Sequence, residues 1–417
     1  MRALCLTLFV MTACGDGKDP AADDTDVADD TDVADDTDVA DDTDVADDTD
    51  VADDTDIADD TDIADDTDDT DPPGLPTDVW TIVGQVDLAG GASGDPRVAV
   101  GDDGLPWIAF SDNAQGGKVT VKRFDGVAWQ LVGAAGFSAR GAVNHTDLLV
   151  DGEEAYVAYY TGVGEVVWVE HWDGAAWTAL GGNKVSSGRA TTPSLGLSAS
   201  GEIHVAYGDN ALDGKATVRR WDGAAWQDVG TPGFTAAGAY YESLVFDGDT
   251  PWLAYVQIGG VDPANAFVVR WDGAAWQPVG DDGRSTEAVG DVALSLDGAQ
   301  PTLFFSQTTG ALAAVVQTWD GAAWTSLADP GYELINGAID LVVADDTPYI
   351  TFKDRDADQF KPVVLAWSGG AWSTVGPAWA TDGNDDTLSL AAAPGVLYLG
   401  YRNDLPDDET TVQQIGR

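Results

Sequence analysis

Outside the carboxylates, few side chains in this chain could do acid–base, nucleophilic or metal chemistry. Histidine occurs three times, as His145, His171 and His204. Neither His145 nor His171 belongs to a spaced metal cluster or a nucleophile motif. His204 takes the place that Trp107 and Trp252 hold in other copies of an internal repeat, so it is expected to pack. Gripping a ligand carboxylate calls for clustered arginines. Of the eleven arginines in 79–417, Arg123, Arg220 and Arg270 instead mark one repeated position, which points to a scaffold or surface role. A carboxylate pair for glycoside chemistry is available, but 73 Asp and Glu make any single pair uninformative. The remaining candidate is a set of polar residues, one per repeat, at the end of the second strand-like run. In order they are Asp112, Thr161, Asp209, Gln257, Gln307, Asp354 and Asn403. Seven such groups could ring one mouth of a channel and hold a cation or a hydroxyl-rich ligand. The segments that follow them differ most between repeats, as binding loops do, whereas the opposite turns are short and uniform.

The elements that would position this ring come from the repeat. A Trp recurs at Trp129, Trp177, Trp226, Trp276, Trp324 and Trp372, in steps of 48, 49, 50, 48 and 48 residues. In most copies it closes the phrase Trp-Asp-Gly-Ala-Ala-Trp, and Trp80 stands 49 residues before Trp129 without the first half of that phrase. Each repeat holds four strand-like runs divided by Gly, Asp and Pro. In the first they are Arg97 to Val100, Trp107 to Phe110, Lys118 to Arg123 and Ala128 to Val132. Four strands at this period predict a β-propeller blade. An inner-strand series (Val98, Leu148, Leu195, Leu244, Leu294, Leu341, Leu388) and a second-strand aromatic series (Phe110, Tyr159, Tyr207, Tyr255, Phe305, Phe352, Tyr401) each have seven members.

The expected fold is therefore all-β: a seven-bladed β-propeller of four-stranded antiparallel blades over 79–417. Its last blade takes three strands from Leu388 to Ile415 and its fourth from the N-terminal segment 79–84, with Ile415 in the first-Trp position. Joining the termini removes the open edges of the ring. The Asp-Gly pair reads as a hairpin turn and the Trp pair as packing between blades rather than a sugar platform.

Residues 15–78 carry 29 Asp, one Lys and no Glu, a net −28. Residues 1–14 add one positive charge, which leaves −27 of the total −54 for the propeller. Nucleic acid is excluded as a partner by such charge. Eight Asp-Asp-Thr-Asp copies run from Asp23 to Asp68, with one Val or Ile per six residues, a pattern that makes neither a helix stripe nor a strand face. An extended, disordered acidic tether over 14–78 is expected, ending in Pro72-Pro73-Gly74-Leu75-Pro76. Its hexapeptides lack the Gly of a calcium loop, so calcium is expected as a diffuse counter-ion, with specific calcium loops as the lesser alternative, and no other cofactor is implied.

Arg2, the apolar run Ala3 to Val10 and Met11-Thr12-Ala13-Cys14 resemble a bacterial lipoprotein signal, with Met11 where Leu is usual. The resemblance implies cleavage after residue 13, lipidation of Cys14, and an exported protein on the outer membrane or cell surface, towards which Gly15 leans. No Cys would remain for an internal disulfide. The unit Val132 to Ala139, repeated at Val229 to Ala236, resembles repeats of secreted bacterial β-propellers, which share no activity to carry over. The turn loosely resembles the Asp-box of sialidase-like propellers, but the Asp-to-Trp spacing is four and the leading Ser is missing. Kelch and WD signatures are absent. The expected function is a lipid-anchored, monomeric, non-catalytic binding or adhesion module for a surface glycan or protein. A sialidase-like glycan enzyme and a structural spacer are the alternatives.

Overall fold

The computed structural model describes residues 75–417, except for 139–140, 162–164, 260–263, 281–286, 299, 310–311, 335–338, 356–359, 382–384 and 404–407. The signal at 1–13, Cys14 and the tether through residue 74 lie outside the described residues. The chain forms seven four-stranded antiparallel sheets. Blade one consists of Ser93–Val100, Pro106–Asp112, Lys118–Phe124 and Trp129–Leu131, ordered from the channel outward. Blades two to six repeat this order, and their innermost strands are Val143–Asp151, Ala190–Leu197, Gly238–Asp247, Val289–Asp297 and Asp340–Ala344. Blade seven combines Asp385–Ala393, Val396–Asn403 and Glu409–Gly416 with the N-terminal strand Thr81–Ile82.

Closure is as the split repeat implies. Thr81 and Ile82 pair with Gln414 and Gln413. Val83 N donates to Val412 O and Gly416 N donates to Pro76 O, so contact with the blade begins at the proline segment. Ile415 stands where other blades carry the first aromatic: a Cβ on Gly376 would meet Ile415 Cδ1 at 2.6 Å and Trp80 Cδ1 at 3.3 Å.

The core is distributed between blades. Seven apolar clusters each join two neighbouring blades, and the last joins blade seven to blade one through Val98, Phe110, Ala391, Tyr398 and Val412. The repeated Trp acts as mortar. Its indole N–H donates to a carbonyl of the preceding blade at all seven positions: Trp80 to Val375, Trp129 to Val83, Trp177 to Val132, Trp226 to Leu180, Trp276 to Val229, Trp324 to Val279 and Trp372 to Ala328. A glycine under the Trp pair makes the approach possible. Gly133 has φ +76°, and a Cβ there would lie 2.7 Å from Trp177 Cδ1.

The Asp-Gly turns are self-contained. Oδ1 of Asp125, Asp173, Asp222, Asp272 and Asp320 accepts the two backbone N–H groups that follow its glycine. These bonds hold the exposed carboxyls below their ordinary pKa.

Two local readings of the sequence change. The innermost strand begins at Ser93 rather than Arg97, because a β-bulge between Gly94 and Arg97 interrupts the alternation without ending the strand. In blade seven the equivalent of Val98 is Leu390, not Leu388, since the bulge there falls between Asp386 and Ser389.

Candidate functional site

The seven strand-end residues stand one strand outward from the channel. Asp112 and Asp209 are buried and cap the 3-10 turns Asn113–Gln115 and Asn210–Leu212. Asp112 Oδ1 accepts from Gln115 N and its Oδ2 from Thr120 Oγ1, while Asp209 Oδ1 accepts from Ala211 N. Thr161 and Asp354 are also buried, and Gln257, Gln307 and Asn403 are half-buried. Thr161 lines a separate cavity with Val166, Trp168 and Lys184. None of the seven lines the central channel. The loop segments 260–263, 356–359 and 404–407 expected to carry variation lie outside the described residues.

The mouth of the channel is built instead by the innermost strands. A cavity of about 400 Å³ is lined by residues of blades one to seven, among them Asp95, Arg97, His145, Asp147, Tyr241, Glu242, Asp291, Asp340 and Thr387. The bulges explain how these side chains reach it. Asp95, His145, Thr192, Tyr241 and Thr387 occupy the same step in five blades, and all have positive φ, between +43° and +56°. Non-glycine residues in this region carry strain, which persists only where surrounding structure holds it. Here neighbouring blades do so: His145 N donates to Asp95 Oδ2, Thr146 Oγ1 to Asp95 O, and Tyr241 N to Thr192 Oγ1.

Two steps further along, the strands are laced together. In blades two, three, four, six and seven this step holds Asp147, Ser194, Ser243, Asp340 and Ser389. Each accepts the backbone N–H of the next blade, from Leu195, Leu244, Leu294, Leu390 and Val98 respectively. Arg97 in blade one and Ala293 in blade five cannot accept. The blades that follow them compensate with aspartate. Asp147 Oδ1 takes Leu148 N and Asp340 Oδ1 takes Leu341 N, while their Oδ2 atoms continue the lacing. Ser295 in blade five also accepts Val343 N.

The cavity is therefore acidic and poorly solvated. Burial raises the Asp147 carboxyl above its ordinary value, and pushes Asp291 up to about 7 and Asp340 up to about 6, against hydrogen bonds from backbone N–H groups and the nearby Arg97 charge. Burial and Arg97 push the His145 imidazole below its ordinary value, against the pull of Asp95. Glu242 is the exception at its own step, where other blades carry Pro96, Thr146, Pro193, Val292, Ile339 and Leu388. It is 6% exposed, and burial raises it to about 8. Thr192 Oγ1 donates to its Oε2, and its Oε1 has no hydrogen-bond partner among the described residues. Among the described residues no group of three or more His, Cys, Asp or Glu is arranged to hold a metal ion.

The other sequence candidates take scaffold positions. His204 is buried against Phe246 at 4.8 Å, and His171 stacks on Tyr156 while bonding Glu154. Arg123 and Arg270 lie over Trp107 and Trp252, and Arg220 bonds Glu202. Arg97, Glu242 and the bulge residues other than His145 stand in no motif of the sequence. The available signal was that they depart from their equivalents in other repeats, but the bulges hide which residues are equivalent.

No protein-family profile matches this chain, and no curated protein sequence matches it. Its backbone is similar to that of an ulvan lyase, a polysaccharide lyase bound to -[GlcA(1-4)Rha3S]-, with TM-score 0.55 and 13% identity over 81% of this chain and 96% of that one. It is similar at a lower level to the Aleuria aurantia lectin in complex with Fucα1-6GlcNAc, with TM-score 0.46 and 17% identity over 69% and 98% of the two chains. A Trypanosoma rangeli sialidase gives TM-score 0.49 and 12% identity over 81% of this chain and 58% of that one. At such identities the likeness to the ulvan lyase establishes the β-propeller fold and no more.

Proposed function

We propose that this protein is a lipid-anchored, surface-tethered β-propeller that binds a glycan, free or protein-borne, at the mouth of its central channel without altering it covalently. The observation that carries the reading is the set of strained bulges. Four of the five positive-φ residues, Asp95, His145, Tyr241 and Thr387, line one cavity. Blade closure alone does not demand this conformation, because blade five shifts register between Val289 and Val292 with no positive-φ residue in that stretch. Strain of about 1–3 kcal/mol per residue, collected at one mouth, is characteristic of a binding site. The side chains it presents include a carboxylate, an imidazole and a hydroxyl, and half-exposed Tyr241 adds an aromatic face.

A glycan array probed with the mature protein, with and without chelator, tests this reading. Binding that falls at least tenfold on Tyr241→Ala or Asp95→Asn is the expected result. An array with no signal above background would instead favour a structural spacer. Anchoring is tested separately: Cys14→Ser should move the protein from the membrane to the soluble fraction, and an unchanged partition rejects lipidation.

A second reading, a glycan-acting enzyme at the same mouth, has one observation in its favour. Glu242, raised to about 8, holds at neutral pH the proton that a general acid needs. Turnover of chromogenic glycosides that is lost in Glu242→Gln would establish it; no turnover across the panel would discard it.

A further inference from the structure

Arg97 is the one long side chain at the lacing step that does not accept a hydrogen bond; the other non-acceptor there, Ala293, has no polar group to offer the cavity. Five other blades use that step as an inter-blade acceptor, and blade one gives it up. The loss is made good locally, since Leu148 N turns to its own Asp147. The substitution thus leaves the ring laced and frees one long side chain to line the cavity.

The guanidinium is held there with donors to spare. Its described side-chain hydrogen bond runs from Nη1 to Pro96 O at 3.3 Å. Among the described residues it makes no ion pair within 4.0 Å, although its charge acts on Asp147, Asp291 and Asp340. Those carboxylates are engaged elsewhere. Asp147 serves Leu148 and Leu195, Asp340 serves Leu341 and Leu390, and Asp291 serves Val292 and Ile339. A guanidinium carries five N–H donors in a planar fork suited to two adjacent oxygens. The carboxylates around it penalise a second anion, and the −27 charge of the domain adds to that penalty.

We propose that Arg97 is the specificity-determining residue of the channel, donating to two adjacent neutral oxygens such as the vicinal hydroxyls of a sugar, and that the surrounding aspartates exclude uronates and sulfated sugars. This inference rests on the glycan-binding reading above. Its test uses the full mature chain on an array of neutral, N-acetylated, uronic and sulfated glycans, with Arg97→Met and Arg97→Lys beside the unchanged protein. Expected are binding to neutral glycans and a loss of about 10- to 100-fold in Arg97→Met. Arg97→Lys should lose at least about tenfold, because an ammonium cannot make the planar two-point contact. Melting curves of both variants should stay close to that of the unchanged protein. If Arg97→Met does not fold, the lysine variant decides alone. Binding by the unchanged protein that survives in Arg97→Lys at full strength overturns the role of Arg97 and leaves the glycan reading standing. A preference for uronic or sulfated glycans overturns the neutral-ligand assignment. No binding to any glycan sinks the glycan reading, and this inference with it.

Discussion

The outer rim and the inner channel of this propeller are built from the same repeat but under opposite constraints. At the rim, seven Trp indoles make the same bond to the preceding blade, and five Asp-Gly turns are bonded alike. At the channel, equivalent steps hold Arg97, Asp147, Ser194, Ser243, Ala293, Asp340 and Ser389, and one buried step holds Glu242 among Pro, Thr and aliphatic residues. Uniformity marks what every blade must do to pack. Departure from uniformity marks places where one blade does something the others do not. The phrase that stands out in the sequence is thus scaffold, and the informative residues are the irregular ones near the axis.

The sharpest test of the rim is Gly133→Ala. It places a side chain at φ +76° and against both Trp172 and Trp177, and should cost about 3–5 kcal/mol in denaturant unfolding. A near-neutral result would break the view of the rim as closely fitted mortar. At the channel, Asp147→Ala leaves two buried N–H groups, Leu148 and Leu195, without their acceptor, whereas Ser243→Ala leaves only Leu294. With about 1–2 kcal/mol for each orphaned donor, the aspartate change should cost roughly twice the serine change. Equal costs would show that Asp147 does not compensate for Arg97.

Glu242 gives a pH-dependent test. Its folded pKa of about 8 lies above the ordinary value, so the unfolded chain releases this proton first as pH rises. The group therefore withdraws stability between about pH 4.5 and 8. Glu242→Gln should match the unchanged protein near pH 5 and exceed it by about 1–3 kcal/mol near pH 8. A constant difference across that range would contradict the buried, neutral carboxyl. The smallest effect belongs to the rim turns. Asp272→Ala removes the acceptor for Ala274 and Ala275 in a fully exposed hairpin, and its thermal melt should shift less than that of any variant above.

Much of this architecture was legible in the residues. The period of the Trp series, the four runs per repeat and the orphan Trp80 led to seven blades and a split seventh, because packing between blades demands the same residues at the same spacing. The Asp-Gly turns were legible for a similar reason: their hydrogen bonds are local. The strand-end residues lie at the same end of the sheets as the channel cavity, since Asp112 pairs with Ser93 at the start of the inner strand. They stand on the second strand rather than the innermost one, and two of the carboxylates cap 3-10 turns.

The sequence by itself determined the repeat, the blade count, the closing strand and the excess of negative charge, all of which depend on contacts repeated at fixed spacing or on composition. Only the tertiary structure decided which side chains share the channel. Bulges shift the inner strands by a residue that no periodic pattern reveals. The environment that raises Glu242 and surrounds Arg97 with carboxylates exists only after seven separate segments have met around one axis.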